Sequence, residues 1–130
     1  WSPSDLDVYI PLCHKFQLTH LLEKKGYHIE NEGNNIHSTY SSSDIFSVMT
    51  FTNKHNKIDV VISTSLCAVS PIFDFHSTAI MNFISADSIF STYPSLTFQG
   101  LTMINGTQLY NGLLCAVGMA ALKKYKEHRY

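Results

Sequence analysis

The sequence predicts an α+β domain with a mixed β-sheet and flanking helices. Three observations carry this expectation: two strand-like runs at residues 6–10 and 57–63, a helical stripe directly after the first of them, and a long amphipathic segment over residues 108–127. Strand side chains alternate between two faces, whereas helical side chains return to one face about every 3.6 residues, so the two patterns are separable by eye.

The elements follow in order. Leu6, Val8 and Ile10 share one face of the first strand, and Asp5, Asp7 and Tyr9 share the other. Pro11 ends the strand and suits the first turn of a helix. Leu12, Phe16, Leu18, Leu21 and Leu22 then trace a helical stripe over residues 12–25. Lys24 and Lys25 suit the negative end of that helix, and Gly26 is its expected C-terminal cap. Residues 31–43, rich in Asn, Gly and Ser, predict a loop. Residues 45–52 are β-branched and aromatic, Asn53-Lys54-His55-Asn56 is a turn, and residues 57–63 return as a strand, which together predict a β-hairpin. In its second strand Ile58, Val60 and Ile62 share one face, with Asp59 on the other.

Beyond the hairpin, Ser70-Pro71 predicts a helix start, of as little as a single turn. A strand is expected over residues 79–84 and a short helix over residues 87–92, stopped by Pro94. The last helix, residues 108–127, would bury Leu109, Leu113, Ala116, Val117, Ala120 and Ala121 and carry Lys123, Lys124 and Lys126 at its C-terminal end.

Composition bounds the function. The 130 residues predict one domain, residues 1–130, and 45% apolar content is enough to fill a core. A net charge of -1 argues against a dedicated duplex-DNA or membrane-surface binder. No apolar run is long enough to span a bilayer, so no membrane partner is expected. Cys13, Cys67 and Cys115 read as reduced thiols of an intracellular protein, cytoplasmic or nuclear, each expected as a small buried hydrophobe. Asn105-Gly106-Thr107 fits the N-glycosylation pattern and is read as a turn. The seven histidines do not cluster at metal-ligand spacing. The chain opens at Trp1, from which an N-terminally incomplete domain is expected.

The informative constellation is Asp5, Asp7 and Asp59. If the two strands that carry them are sheet neighbours, three carboxylates converge, and converging carboxylates repel one another unless a cation joins them. Hard divalent cations take such oxygen ligands. Asp-hydrophobic-Asp-hydrophobic on a strand, then a helix, then a hairpin whose second strand bears a third Asp, resembles the DNA polymerase β-like nucleotidyltransferase family over roughly residues 4–63. The segment from Phe75 to Phe83 also resembles a stretch of fungal proteins with this fold. The family's Gly-Ser pair, which cradles phosphates ahead of the first aspartate, has no counterpart here: only Trp1, Ser2, Pro3 and Ser4 precede Asp5.

The resemblance implies a metal-dependent nucleotidyltransferase that moves a nucleoside monophosphate from a nucleoside triphosphate to a hydroxyl acceptor, whether RNA, protein or a small molecule. It implies Mg²⁺ or Mn²⁺ as cofactor, with Asp5, Asp7 and Asp59 as metal ligands and catalytic residues. The rival is a catalytically inactive binding module that keeps the fold; a third reading makes the aspartates solvated strand starts of an unrelated α+β domain. His76 reads as a satisfied, half-buried residue, with a phosphate or ribose contact as the alternative. Asn82 reads as satisfying a backbone group, with a base-edge contact as the alternative. Tyr9 shares the aspartate face, either shielding the site or simply packing on the sheet.

Overall fold

The computed structural model describes residues 5–33, 44–106 and 123, with Asp5 described by its backbone alone. It is an α+β structure, with a four-stranded mixed sheet, a second two-stranded sheet and few helices. The chain divides into two compact units, Trp1–Pro71 and Ile72–Tyr130. No helix among the described residues is long and apolar enough to cross a membrane.

The first unit holds β1 (Asp5–Pro11), α1 (Lys15–Lys24), β2 (His28–Gly33), β3 (Ile45–Thr52) and β4 (Lys57–Ser63), with a 3-10 turn at Leu12–His14 leading into α1. The sheet order is β1-β4-β3-β2. β1 runs parallel to β4, and β4–β3 and β3–β2 are antiparallel. Both edge strands therefore point the same way, and the chain has to return to the starting end between them. α1 makes that return, and its Leu18 and Leu22 pack on the sheet face that carries Val8, Ile10, Met49, Phe51, Ile58, Val60 and Ile62. A parallel connection needs such a crossover, and a helix is the usual one.

The register explains the core. Val8 lies beside Val60 and Ile10 beside Ile62, so apolar side chains abut across the parallel pair. Phe51 and Ile62 have no solvent exposure. Burying a side chain of this kind contributes about 2–3 kcal/mol each. The α1 C-terminus closes as expected on Gly26, whose φ is +84°. The Gly26 N–H donates to the Glu23 carbonyl at 2.9 Å and the Tyr27 N–H to the Leu22 carbonyl at 3.0 Å. This is the Schellman pairing, and it brings Tyr27 and Leu22 together onto the core. The hairpin turn is closed by Asn53, whose Oδ1 accepts from the His55 and Asn56 N–H groups at 2.9 and 2.8 Å. At the far end of β4, the hydroxyls of Ser63, Ser65 and Ser70 share hydrogen bonds of 2.9–3.1 Å, which satisfies the fully buried Ser63.

The second unit holds β5 (Asn82–Ile84), β6 (Ile89–Ser91), antiparallel to each other, and α2 (Pro94–Phe98). A 3-10 turn over Ser70–Asp74 lies at the boundary between the units, and another spans Thr78–Ile80. The β5–β6 register pairs Phe83 with Phe90, whose rings stack at 4.9 Å. Asn105 Nδ2 donates to the Phe73 and Phe75 carbonyls at 3.1 and 3.0 Å, so the amide of the Asn-Gly-Thr pattern ties backbone together.

Several expectations are corrected. The loop expected from residue 31 begins as strand: β2 includes Asn31, Glu32 and Gly33, while residues 34–43 lie outside the described residues. An edge strand pairs on one side only, so it tolerates a polar sequence with Gly. The 3-10 start of α1 puts Leu12 out of phase, and Leu12, Phe16 and Leu21 are exposed, leaving Leu18 and Leu22 as the buried pair. Phe16 lies two positions from Leu18, nearly the opposite side of a helix. The short helix expected at 87–92 is strand β6, because Ser85 and Asp87 build a turn: the Ser85 hydroxyl donates to Asp87 Oδ1 at 2.8 Å. Pro94 does not stop a helix but opens α2. The strand expected at 79–84 starts only at Asn82. Cys13 and Cys67 are exposed rather than buried, being carried by the 3-10 turn and by the loop after β4. Cys115 and the helix expected at 108–127, Lys123 apart, lie outside the described residues.

Phe51→Ala removes the largest fully buried side chain among the described residues. It should cost about 3–5 kcal/mol, measured as the shift of the urea unfolding midpoint. A loss below about 1 kcal/mol would mean that Phe51 is not central to the core.

Candidate functional site

The sheet face opposite α1 carries the charged side chains of these strands, because β1, β3 and β4 place the apolar residues of the core cluster on the α1 face. The strand registers line this outer face up in rows. One row runs Asp7–Asp59–Thr50–Asn31 across all four strands, and the next runs Asp5–Lys57–Thr52–His28. A third row, Tyr9–Val61–Val48–Gly33, is mostly apolar. A bulge in β2 between Ile29 and Asn31 keeps the rows in step: Ile29 pairs with Phe51, and Asn31 then pairs with Thr50.

Asp7 and Asp59 are thus register partners on adjacent parallel strands. Neighbouring strands lie about 4.8 Å apart, close enough for two carboxylates on one face to share a cation. Asp59 is firmly oriented. Its Oδ1 accepts from the Thr50 hydroxyl at 2.7 Å, and its Oδ2 lies 3.0 Å from the Lys57 ammonium. The Asp59 side chain is 22% exposed and that of Lys57 43%, while Asp7 is exposed. In the adjacent row, Thr52 Oγ1 and His28 Nε2 lie 3.1 Å apart in a hydrogen bond.

The neighbouring strands assumed from the sequence are therefore present, and Asp7 and Asp59 are register partners on them. Asp5 occupies the next register position on β1, opposite Lys57, and its side chain lies outside the described residues. Among the described residues, no group of three or more His, Cys, Asp or Glu side chains is placed to hold a metal ion. Two residues of the site, Thr50 and Lys57, were not singled out from the sequence. Hairpin register would have found both: with Asn53–Asn56 as the turn, Thr52 faces Lys57 and Thr50 faces Asp59.

In the second unit, His76 is buried at 6% exposure and its carbonyl accepts from the Asn105 N–H at 2.9 Å. Asn82 Nδ2 donates to the Ala79 carbonyl at 2.6 Å, so this side chain satisfies a backbone group as expected. Compared with protein families, with curated proteins and with solved structures, the chain matches none of them.

Burial holds the His76 imidazole below its ordinary value of 6.5, because desolvation disfavours the charged ring. The unfolded chain then binds this proton more readily than the folded one, so stability rises with pH across the window. His76 should contribute a loss of stability as pH falls below 6.5. Melting curves of the native chain and of His76→Gln between about pH 7.5 and about pH 5.5 check this: the native chain should lose more stability than the variant. Equal losses would remove His76 as the source.

Proposed function

We propose that this protein is a metal-dependent nucleotidyltransferase, moving a nucleoside monophosphate from a nucleoside triphosphate to a hydroxyl acceptor. The observation that supports this reading is the register pairing of Asp7 with Asp59 on the face turned away from the core. The donor set is oxygen-rich, which suits Mg²⁺ or Mn²⁺. Asp7 and Asp59 would hold the cation, with Asp5 as the further carboxylate two residues earlier on β1. A bound divalent cation would neutralise phosphate charge and lower the pKa of the attacking hydroxyl.

The chain's own residues supply orientation. The Thr50 hydroxyl fixes the rotation of the Asp59 carboxylate, and the rigid β3–β4 pair fixes its position. Asp59 would accept the proton of the attacking hydroxyl. The acceptor class, whether RNA, protein or a small molecule, is open to screening, and an intracellular setting, cytoplasmic or nuclear, is part of the proposal.

A second reading has its own observation. Both Asp59 oxygens already have protein partners in Thr50 and Lys57. A binding module that keeps the fold without the chemistry would need no cation to hold this face together.

The two readings separate on calorimetric titration of Mn²⁺ into the chain and into the Asp5→Asn/Asp7→Asn variant. The nucleotidyltransferase reading expects binding to the first and none to the second. It also expects Asp7→Ala to lower Mg²⁺-dependent transfer by more than about 100-fold, since even outer partners of metal ligands matter at about 10–100-fold. Unchanged turnover in Asp7→Ala ends the enzymatic reading.

A further inference from the structure

Asn105 takes no part in the sheet site, yet the second unit holds it by three hydrogen bonds. Its N–H donates to the His76 carbonyl at 2.9 Å. Its Nδ2 donates to the Phe73 carbonyl at 3.1 Å and to the Phe75 carbonyl at 3.0 Å. A side-chain amide has two N–H donors, and both are used here. Asn105 is the last stitch of a seam between residues 73–79 and 102–105. The Ala79 N–H donates to Thr102 Oγ1 at 3.0 Å, and the Thr78 N–H donates to the Met103 carbonyl at 2.9 Å. The Met103 N–H donates to Thr78 Oγ1 at 2.9 Å, and Ser77 and Ile104 form an antiparallel bridge. His76, Ser77 and Thr78 are buried along this seam.

The residue after Asn105 is Gly106. Asn-Gly is the pairing most prone to deamidation, because glycine has no Cβ to obstruct the attack of its own backbone nitrogen on the preceding amide. The Gly106 nitrogen bonds to Asn105 Cγ, the Cγ–Nδ2 bond breaks, and ammonia leaves with the proton that the Gly106 N–H gives up. The succinimide ring then takes up water at one of its two carbonyl carbons and opens to aspartate or isoaspartate. Attack requires the Asn105 side chain to turn Cγ toward the Gly106 nitrogen. The hydrogen bonds to Phe73 and Phe75 hold the amide against that turn.

We propose that Asn105 is a fold-guarded deamidation site, whose conversion to aspartate or isoaspartate undoes the seam between residues 73–79 and 102–105. The loss follows from the product's chemistry. An ionised carboxylate only accepts hydrogen bonds, so it would face the Phe73 and Phe75 carbonyls with no hydrogen to give. Isoaspartate also lengthens the backbone by one methylene and displaces the N–H that serves His76. The step is irreversible: opening the seam exposes the amide, and conversion keeps the seam from closing again.

The test uses the whole chain in mildly alkaline buffer, folded and in urea. Peptide mapping by mass spectrometry follows conversion at Asn105 and separates it from the chain's other Asn-Gly pair, Asn111-Gly112. In urea Asn105 should react at the rate of Asn111, which measures the unguarded reaction. In the folded chain Asn105 should react at least about tenfold more slowly than in urea. Thr102→Val removes the hydroxyl that accepts from Ala79 and leaves Asn105 and Gly106 in place. It should speed conversion of Asn105 in the folded chain by about two- to tenfold, the worth of one hydrogen bond. Equal rates in the folded chain and in urea, or an unchanged rate in Thr102→Val, would overturn the guard. Asn105→Asp should lower the melting temperature by about 4 °C or more. Melting at the native temperature would overturn the consequence assigned to conversion. The rate comparison on the native chain stands whether or not that variant folds.

Discussion

The parallel pairing of β1 with β4 is the constraint on which the first unit depends. One register does two jobs: it sets Val8 beside Val60 and Ile10 beside Ile62 on one face, and Asp7 beside Asp59 on the other. Because strand side chains have a period of two, a slip of one residue would put aspartate into the core and valine onto the outer face. The apolar pairs thus protect the position of the acidic pair, and the site needs no separate device to hold its register. The parallel direction also dictates α1, whose return across the sheet covers the apolar face and leaves the other face free of that helix.

Electrostatics then organises the outer face. A cross-strand carboxylate pair is unfavourable by itself, and the side chains around it answer that in two ways. Thr50 donates a neutral hydrogen bond and Lys57 brings a charge, both to Asp59. Each comes from a strand neighbour or from the same strand, so each is fixed by the hairpin that the Asn53 turn closes. The β3–β4 register thus sets Thr50 beside Asp59, and the two-residue period of β4 sets Lys57 on the same face.

Much of the first unit was legible in the sequence because its signals are local. β3 and β4 follow their β-branched runs, with the turn between them marked by Asn53 and Asn56. Gly26 stops α1 through a positive φ that its neighbours would adopt at a cost. What escaped were elements made by partners rather than by composition. β2 reads His-Ile-Glu-Asn-Glu-Gly and is a strand only because β3 lies beside it. β6 has three residues and owes its form to pairing with β5. The α1 stripe was too broad for a similar reason: Phe16 and Leu18 lie on nearly opposite sides of the helix, and it is the sheet that selects the side of Leu18 and Leu22 for burial. For the site, the sequence named the aspartates by pattern but did not select Lys57 from the other lysines. Only the register does that, by placing it opposite Asp5.

The division of labour between the two faces also explains why an unfavourable pair is tolerated. Met49, Phe51, Ile58, Val60 and Ile62 form a continuous buried cluster on three residues of β4 and two of β3. The same three β4 residues alternate with Lys57, Asp59 and Val61, so the strand that bears the site is also a main contributor to the core. Strain at a working position is sustained where the surrounding packing over-determines it. Here that packing is on the reverse side of the same backbone, one residue away. A carboxylate placed on a loop would relax away from its neighbour; on β4 it cannot do so without unpacking Ile58 or Val60. The acidic face is therefore held in place by the apolar one.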